Sequence, residues 1–261
     1  MYLDPSDYMD RLFYLGSYDR ILLQMIRDRV RKGDLCVDVG AQKGYVALQL
    51  SKQVGKSGLV MAFEPDSRAR KHLDANLARN KAANTTVFPF ALGTAEGTTT
   101  FHLSSQLGWS TRFPNALAKP TLCKRIQVPI RPLAHIFEDN RFRMSLPKLS
   151  FVKIDCEGSE AEVLQGMAGI LRNASPAIWI EVNPGSLEAA GKSVESILMP
   201  LRDLGYVGHR PKAKCINGKQ CVHLEAVSGY RPVDKGVFDL LCLRSDGPQD
   251  KCSQDRLLKN S

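Results

Sequence analysis

The chain has 261 residues, 43% of them apolar and 24% charged, with 20 glycines and 14 prolines. This balance excludes the disordered, collagenous and coiled-coil classes, and at this length roughly three quarters of the unfolded surface can be buried without disulfides or a structural metal. Thirty-six Lys and Arg against 27 Asp and Glu give a formal charge of +9 that favours an anionic partner, yet the cations lie in small scattered groups, which argues against a dedicated nucleic-acid surface.

The first predicted element is an amphipathic helix within residues 17–31, where Ile21, Leu22, Met25, Ile26 and Val30 recur at helical spacing and Gly33 follows as a stop. Leu35 to Gly40 is a short apolar strand ending in a turn, and Tyr45 to Val54 resumes the helical period. A second strand, Leu59 to Glu64, is closed by Pro65; a helix over 66–81 and a third strand over 86–90 follow. Between Gly97 and Pro132 the pattern changes to two short alternating strands, Thr98 to Leu103 and Arg125 to Ile130, around a loop containing Trp109. Strand and helix then alternate again: helix 133–140, strand 151–154, helix 160–171, strand 177–182 and helix 194–204. A hairpin turning at Asn217-Gly218 and a last strand, 238–243, complete the pattern. The expected organisation is an N-terminal helical segment (1–33), one α/β domain (34–244, with a β insertion at about 97–132) and a flexible tail (245–261).

Seven cysteines, odd in number and widely spaced, suit reduced thiols. No stretch approaches the length of a membrane span and Met1 to Pro5 has no basic leader, so a cytoplasmic protein is expected.

The strongest chemical signal is Asp38-Val39-Gly40-Ala41-Gln42-Lys43-Gly44. Its glycines allow a sharp turn and close approach to a ligand, and the helix that follows offers free N–H groups. Their spacing is not that of the dinucleotide fingerprint. Glu64, twenty positions after Gly44, stands at a strand end where an acid accepts both hydroxyls of a ribose. Together they point to an adenosine-containing ligand without a pyrophosphate contact, a description that S-adenosylmethionine fits.

These residues, with Phe63-Glu64-Pro65, Ala91-Leu92-Gly93 and Val152-Lys153-Ile154-Asp155-Cys156-Glu157-Gly158-x-Glu160, resemble the FkbM family of S-adenosylmethionine-dependent methyltransferases, with all blocks in order from about Gly33 to Leu243. Two departures stand out: Gln42 where the family usually has Asn, and Cys156 where a small aliphatic residue is common. The resemblance implies a class I methyltransferase (Rossmann-like) fold. Its mostly parallel seven-stranded sheet would run in the order 3-2-1-4-5-7-6 and carry an antiparallel terminal hairpin. It also implies O-methylation of small hydroxylated metabolites, sugars or glycolipids, as in natural product biosynthesis. Asp38, Gly40, Ala41 and Gly44 would hold the methionine part of the cofactor, Glu64 its ribose, and Ala91 and Leu92 would border its adenine. Asp66 is either an adenosine contact or a helix N-cap.

A hydroxyl nucleophile needs a base or a metal to shed its proton. Asp155 and Glu181, at the ends of adjacent strands, are the candidate catalytic acids, and Asn183 beside them is a candidate substrate or metal ligand. Asp155 also reads as a cap for the helix that starts near Glu160. Asp155, Glu181 and Asn183 resemble the ligand set that holds magnesium in catechol-type methyltransferases. Trp109 and Ser110 are candidate substrate contacts on the insertion loop. Alternative readings are an RNA methyltransferase and a non-catalytic S-adenosylmethionine-binding module.

Overall fold

The computed structural model describes residues 1, 8–15, 18–105, 110–113, 122–216, 219–227, 236–245 and 255–257. Trp109 and the turn Asn217-Gly218 lie outside the described residues. Helices α1 (Tyr8–Tyr14) and α2 (Arg20–Arg29) lead into β1 (Leu35–Val39), α3 (Tyr45–Val54), β2 (Leu59–Phe63), α4 (Ser67–Arg79) and β3 (Thr85–Phe88). The insertion comprises β4 (Ala91–Leu92), β5 (Gly97–Ser104) and β6 (Leu122–Arg131). Then come α5 (Leu133–Ile136), α6 (Asn140–Arg143), β7 (Leu149–Ile154), α7 (Glu160–Ala174), β8 (Ala177–Val182), α8 (Pro184–Ala189) and α9 (Glu195–Asp203). Strands β9 (Tyr206–Ile216), β10 (Lys219–Ala226), β11 (Phe238–Arg244) and β12 (Asp255–Leu257) complete the described chain.

Strands β3, β2, β1, β7 and β8 run parallel, and β11 inserts antiparallel between β8 and β9. Counted over those seven strands, the order is the 3-2-1-4-5-7-6 of class I methyltransferases, as expected. The hairpin partner β10 and the short β12 widen the sheet to nine strands. Strand β12 falls inside the stretch whose polarity suggests a tail; residues 221–223 of β10 pair with it, so that part of the tail is sheet edge. The insertion forms a second sheet in which β5 and β6 pair antiparallel. Ala91 and Leu92 join it parallel to β6, where the sequence alone suggests only a turn.

Strand alternation sorts the core into two layers. Val37, Val39, Met61, Phe63, Val152, Ile154, Ile178, Ile180, Leu240 and Cys242 point to one face and pack under α7, α8 and α9. Cys36, Val60, Ala62, Phe151, Ala177, Trp179, Leu241 and Leu243 point to the other and pack under α2 and α3. Continuing the same period, Asp38, Lys153, Glu181 and Asp239 fall on this second face, one at the end of each of four neighbouring strands. Register brings Asp38 opposite Lys153 and Glu181 opposite Asp239. A polar row therefore closes the carboxyl edge of an otherwise apolar layer, at the place where an open α/β sheet holds its ligand.

Candidate active site

The loop after β1 is built by alternation of left-handed residues: Gly40, Gln42 and Gly44 have φ of 76°, 50° and 89°. Gly40 is required twice over, because a Cβ there would stand 1.9 Å from the carbonyl oxygen of Asp155. Its N–H and that of Ala41 both donate to the Phe63 carbonyl at 3.0 Å, which ties β1 to the end of β2. Gln42 occupies a left-handed position that asparagine adopts with less strain, a physical reason why the departure from the family pattern has a cost here. Helix α3 starts at Gly44, which has no side chain to cap it.

Glu64 is buried at the tip of β2, and its two oxygens accept from the backbone N–H of Gln42 (2.9 Å) and of Asp66 (2.8 Å). Burial pushes its pKa up to about 7 against the pull of those two bonds. Each oxygen keeps a second lone pair, so a carboxylate locked this way can still accept two hydroxyls of a ribose. Asp66 is instead fully engaged. It caps α4 through Arg68 N and receives the Arg68 guanidinium (2.6 Å) and the Ser110 hydroxyl (3.0 Å). Burial alone would raise its pKa, but these partners hold it below the usual carboxylate range. Of its two expected roles, the helix cap is the one observed. Ser110, expected beside the acceptor, stands instead on the Asp66 and Arg68 side of the crevice. Ala91 and Leu92 line the crevice beyond Phe90.

The polar row supplies the rest. Lys153 is 5% exposed, and its ammonium donates to the Gly40 carbonyl and to Asp155 Oδ2, both at 3.0 Å, while standing 3.7 Å from Asp38 Oδ1. Burial would strip its proton, but Asp155 and Asp38 hold it in the charged form. The family pattern assigns Lys153 no role, although one cation inside the apolar run Phe151 to Ile154 is itself a signal, because a charge is buried in a strand only with partners. Asp38 is the next member of the row. It is completely buried and does not line the crevice, and neither of its oxygens has a partner within hydrogen-bond distance. Strand alternation turns it beneath the floor, where it acts as counter-charge to Lys153. Gly44 likewise does not line the crevice, since it packs against Leu73.

Asp155 lines the crevice with its Oδ2 held by Lys153, and its backbone N–H donates to the Val39 carbonyl. Glu157, with φ 50°, turns back so that Oε2 accepts from Ser186 Oγ (2.9 Å) and Asn183 Nδ2 (3.2 Å). Burial and then Asp155 raise its pKa to about 7. The Asp155 charge, followed by burial, raises that of Glu181 to about 9, and burial raises Asp239 to about 7. Among the described residues one set of oxygens lies within 4.8 Å of one another as a metal would need, from Asp155, Glu157 and Glu181. Asn183 lines the crevice, its Oδ1 caps α8 through Ser186 N, and its Nδ2 donates to Glu157.

A carboxyl group whose pKa is raised by folding binds its proton more tightly in the folded state. The stability it confers is therefore complete below the unfolded value of 4.5 for Glu and is lost as pH rises through the folded values of about 7 and about 9. The melting temperature of the ligand-free protein is expected to fall steadily from about pH 5 to about pH 9, and Glu181→Gln to flatten the alkaline part of that fall. Thermal melts across that range check it; an unaltered slope in the variant would mean that Glu181 ionises unhindered.

Three comparisons bear on this geometry. Residues 38–207 match the family model described as Methyltransferase FkbM domain. No curated protein sequence matches the chain significantly. Among solved structures, a methyltransferase FkbM from Methylobacillus flagellatus KT is 18% identical over 92% of this chain and 56% of its own, with a TM-score of 0.46. A putative rRNA-methylase from Clostridium thermocellum is 12% identical over 88% and 94%, with a TM-score of 0.48. A putative methyltransferase from Streptococcus mutans in complex with SAH is 10% identical over 85% and 95%, with a TM-score of 0.47. No helix of the described residues is long and apolar enough to cross a membrane.

Proposed function

This chain belongs to the FkbM methyltransferase family, and we propose that it transfers the methyl group of S-adenosylmethionine to a hydroxyl of a small metabolite, sugar or glycolipid. The observation that carries the reading is the division of the crevice into two ends. One end has the glycine loop and Glu64, whose spare lone pairs fit a ribose. The other brings oxygens of Asp155, Glu157 and Glu181 within 4.8 Å of one another, with Lys153 bound to Asp155. With pKa values raised to about 7 and about 9, Glu157 and Glu181 are at least partly neutral acids at neutral pH, which suits hydrogen bonding to a neutral hydroxyl better than to a phosphate despite the formal +9.

S-adenosylmethionine supplies an activated methyl on a sulfonium that leaves as a neutral thioether. The protein's part is to align the acceptor oxygen and receive its proton. Asp155 is suited to receive it, because Lys153 fixes its Oδ2 and leaves Oδ1 to accept the hydroxyl proton as the C–O bond forms. Glu181 stands next to it as the group through which that proton is shared. A magnesium-assisted version is less well supplied, because the Lys153 ammonium already occupies Asp155 and hydrogen bonds occupy Glu157 and Asn183.

Glu64→Ala is expected to weaken binding of S-adenosylhomocysteine by about tenfold or more, since two hydrogen bonds to a charged acceptor are lost. Calorimetry measures it, and unchanged affinity would remove Glu64 from the site. Incubation with methyl-labelled S-adenosylmethionine and a panel of sugars, polyols and RNA tests the acceptor class. Label in RNA alone would overturn the small-hydroxyl reading.

A further inference from the structure

The family match begins at residue 38, yet the crevice does not. Phe13 at the end of α1 and Tyr18 before α2 line it together with Tyr45. The Phe13 and Tyr45 rings stack at 4.5 Å, and Tyr18 meets both edge-on, at 4.8 and 5.4 Å. The segment is pinned from below by an ion pair between Asp10 and Lys43, 2.8 Å long and buried on both sides, and from above by Asp19, which caps α2 through Leu22 N. Tyr18 is held by its ring alone. Among the described residues its hydroxyl has no hydrogen-bond partner, and Lys153, Asp155 and Glu181 line the same crevice.

Aromatic rings that line the same crevice as Asp155 and Glu157 suit a positively charged group: a ring face offers the negative side of its quadrupole, and a phenol oxygen offers a lone pair. We propose that Tyr18, from outside the family match, is a donor-binding residue that contacts the sulfonium-bearing end of S-adenosylmethionine and so favours the charged donor over its neutral product. The inference rests on the donor reading above and adds to it a residue and a selectivity. The Tyr18 oxygen supplies a short-range contact to the polarised methyl and methylene groups next to sulfur. S-adenosylhomocysteine lacks both the charge and the polarisation, so it gains little from that contact.

The test is the ratio of two affinities, measured by calorimetry on the full chain with S-adenosylmethionine and with S-adenosylhomocysteine. Tyr18→Phe keeps the ring and the packing; it is expected to weaken S-adenosylmethionine about three- to fivefold and to leave S-adenosylhomocysteine within about twofold. Tyr18→Leu removes the ring as well and is expected to widen the loss for the charged ligand to about tenfold or more. Equal weakening of both ligands in Tyr18→Phe, or no weakening of either, overturns the inference while leaving the donor site standing. Failure of the unmodified protein to bind S-adenosylhomocysteine overturns the donor reading and the inference with it.

Discussion

Lys153→Met is expected to lower stability at neutral pH by about 3–5 kcal/mol, the cost of leaving a buried ion pair with one partner missing. Asp38, with no exposed surface, would lose its nearest cation, and Asp155 would lose both its counter-charge and its tether. Methionine has nearly the volume of lysine, so the loss is electrostatic and not a cavity. Two consequences separate it from a packing defect. The cost shrinks at about pH 5, because the stranded carboxylate takes a proton. Adding Asp38→Asn restores part of the stability, because the uncompensated charge is then gone. Urea unfolding at the two pH values, with and without the second substitution, measures all three quantities. A cost under about 1 kcal/mol at neutral pH would show that water reaches Asp38.

Gly40→Ala is the second large effect. The new methyl would sit 1.9 Å from the Asp155 carbonyl oxygen and 3.0 Å from its carbon, backbone atoms at the end of β7 that cannot swing aside, at a φ of 76° that alanine adopts only under strain. The expected cost is more than about 3 kcal/mol, with loss of S-adenosylhomocysteine binding, because relief requires β1 and β7 to separate at the crevice floor. Gly44→Ala is the internal comparison. Its methyl meets the Leu73 Cδ1 atom at 2.4 Å, the end of a flexible side chain, so it is expected to cost less despite a φ of 89°. Gly97→Ala meets nothing within 4 Å and is expected to be silent. Thermal melts of the three variants give the order, and a Gly40 variant as stable as the Gly97 variant would refute the close approach of the two strands.

Much of the architecture is legible in the sequence because local and global signals agree. Helix α3 begins and ends where Gly44 and Gly55 permit positive φ, and β8 is an apolar run broken only by Glu181, with no competing pattern. Helix α8 is hidden because Pro184-Gly185 reads as a breaker; proline at the first helical position, behind the Asn183 cap, is instead a start signal. The helix expected over 133–140 divides because Asp139 caps a new turn and ends the previous one. In the site, Glu64 and the glycine loop are readable from spacing. Asp155 does not take up the alternative of capping α7. The β7–α7 turn is held by Glu160, whose Oε1 accepts from the N–H groups of Cys156 and Gly158, leaving Asp155 to Lys153. Tyr18 and Phe13 escape a reading of the sequence, since a contact between a segment near residue 15 and a loop near residue 43 leaves no trace in either local pattern. The charge row is hidden differently. Its members are one per strand, and only strand register makes them neighbours.

The ion pair between Asp10 and Lys43 joins residues 33 positions apart in the chain. The charge balance of the glycine loop therefore depends on the docking of the first helix. Amide hydrogens of α1 and of residues 40–44 should consequently exchange through one shared opening, so the helix and the glycine loop form and dissolve as a single cooperative unit.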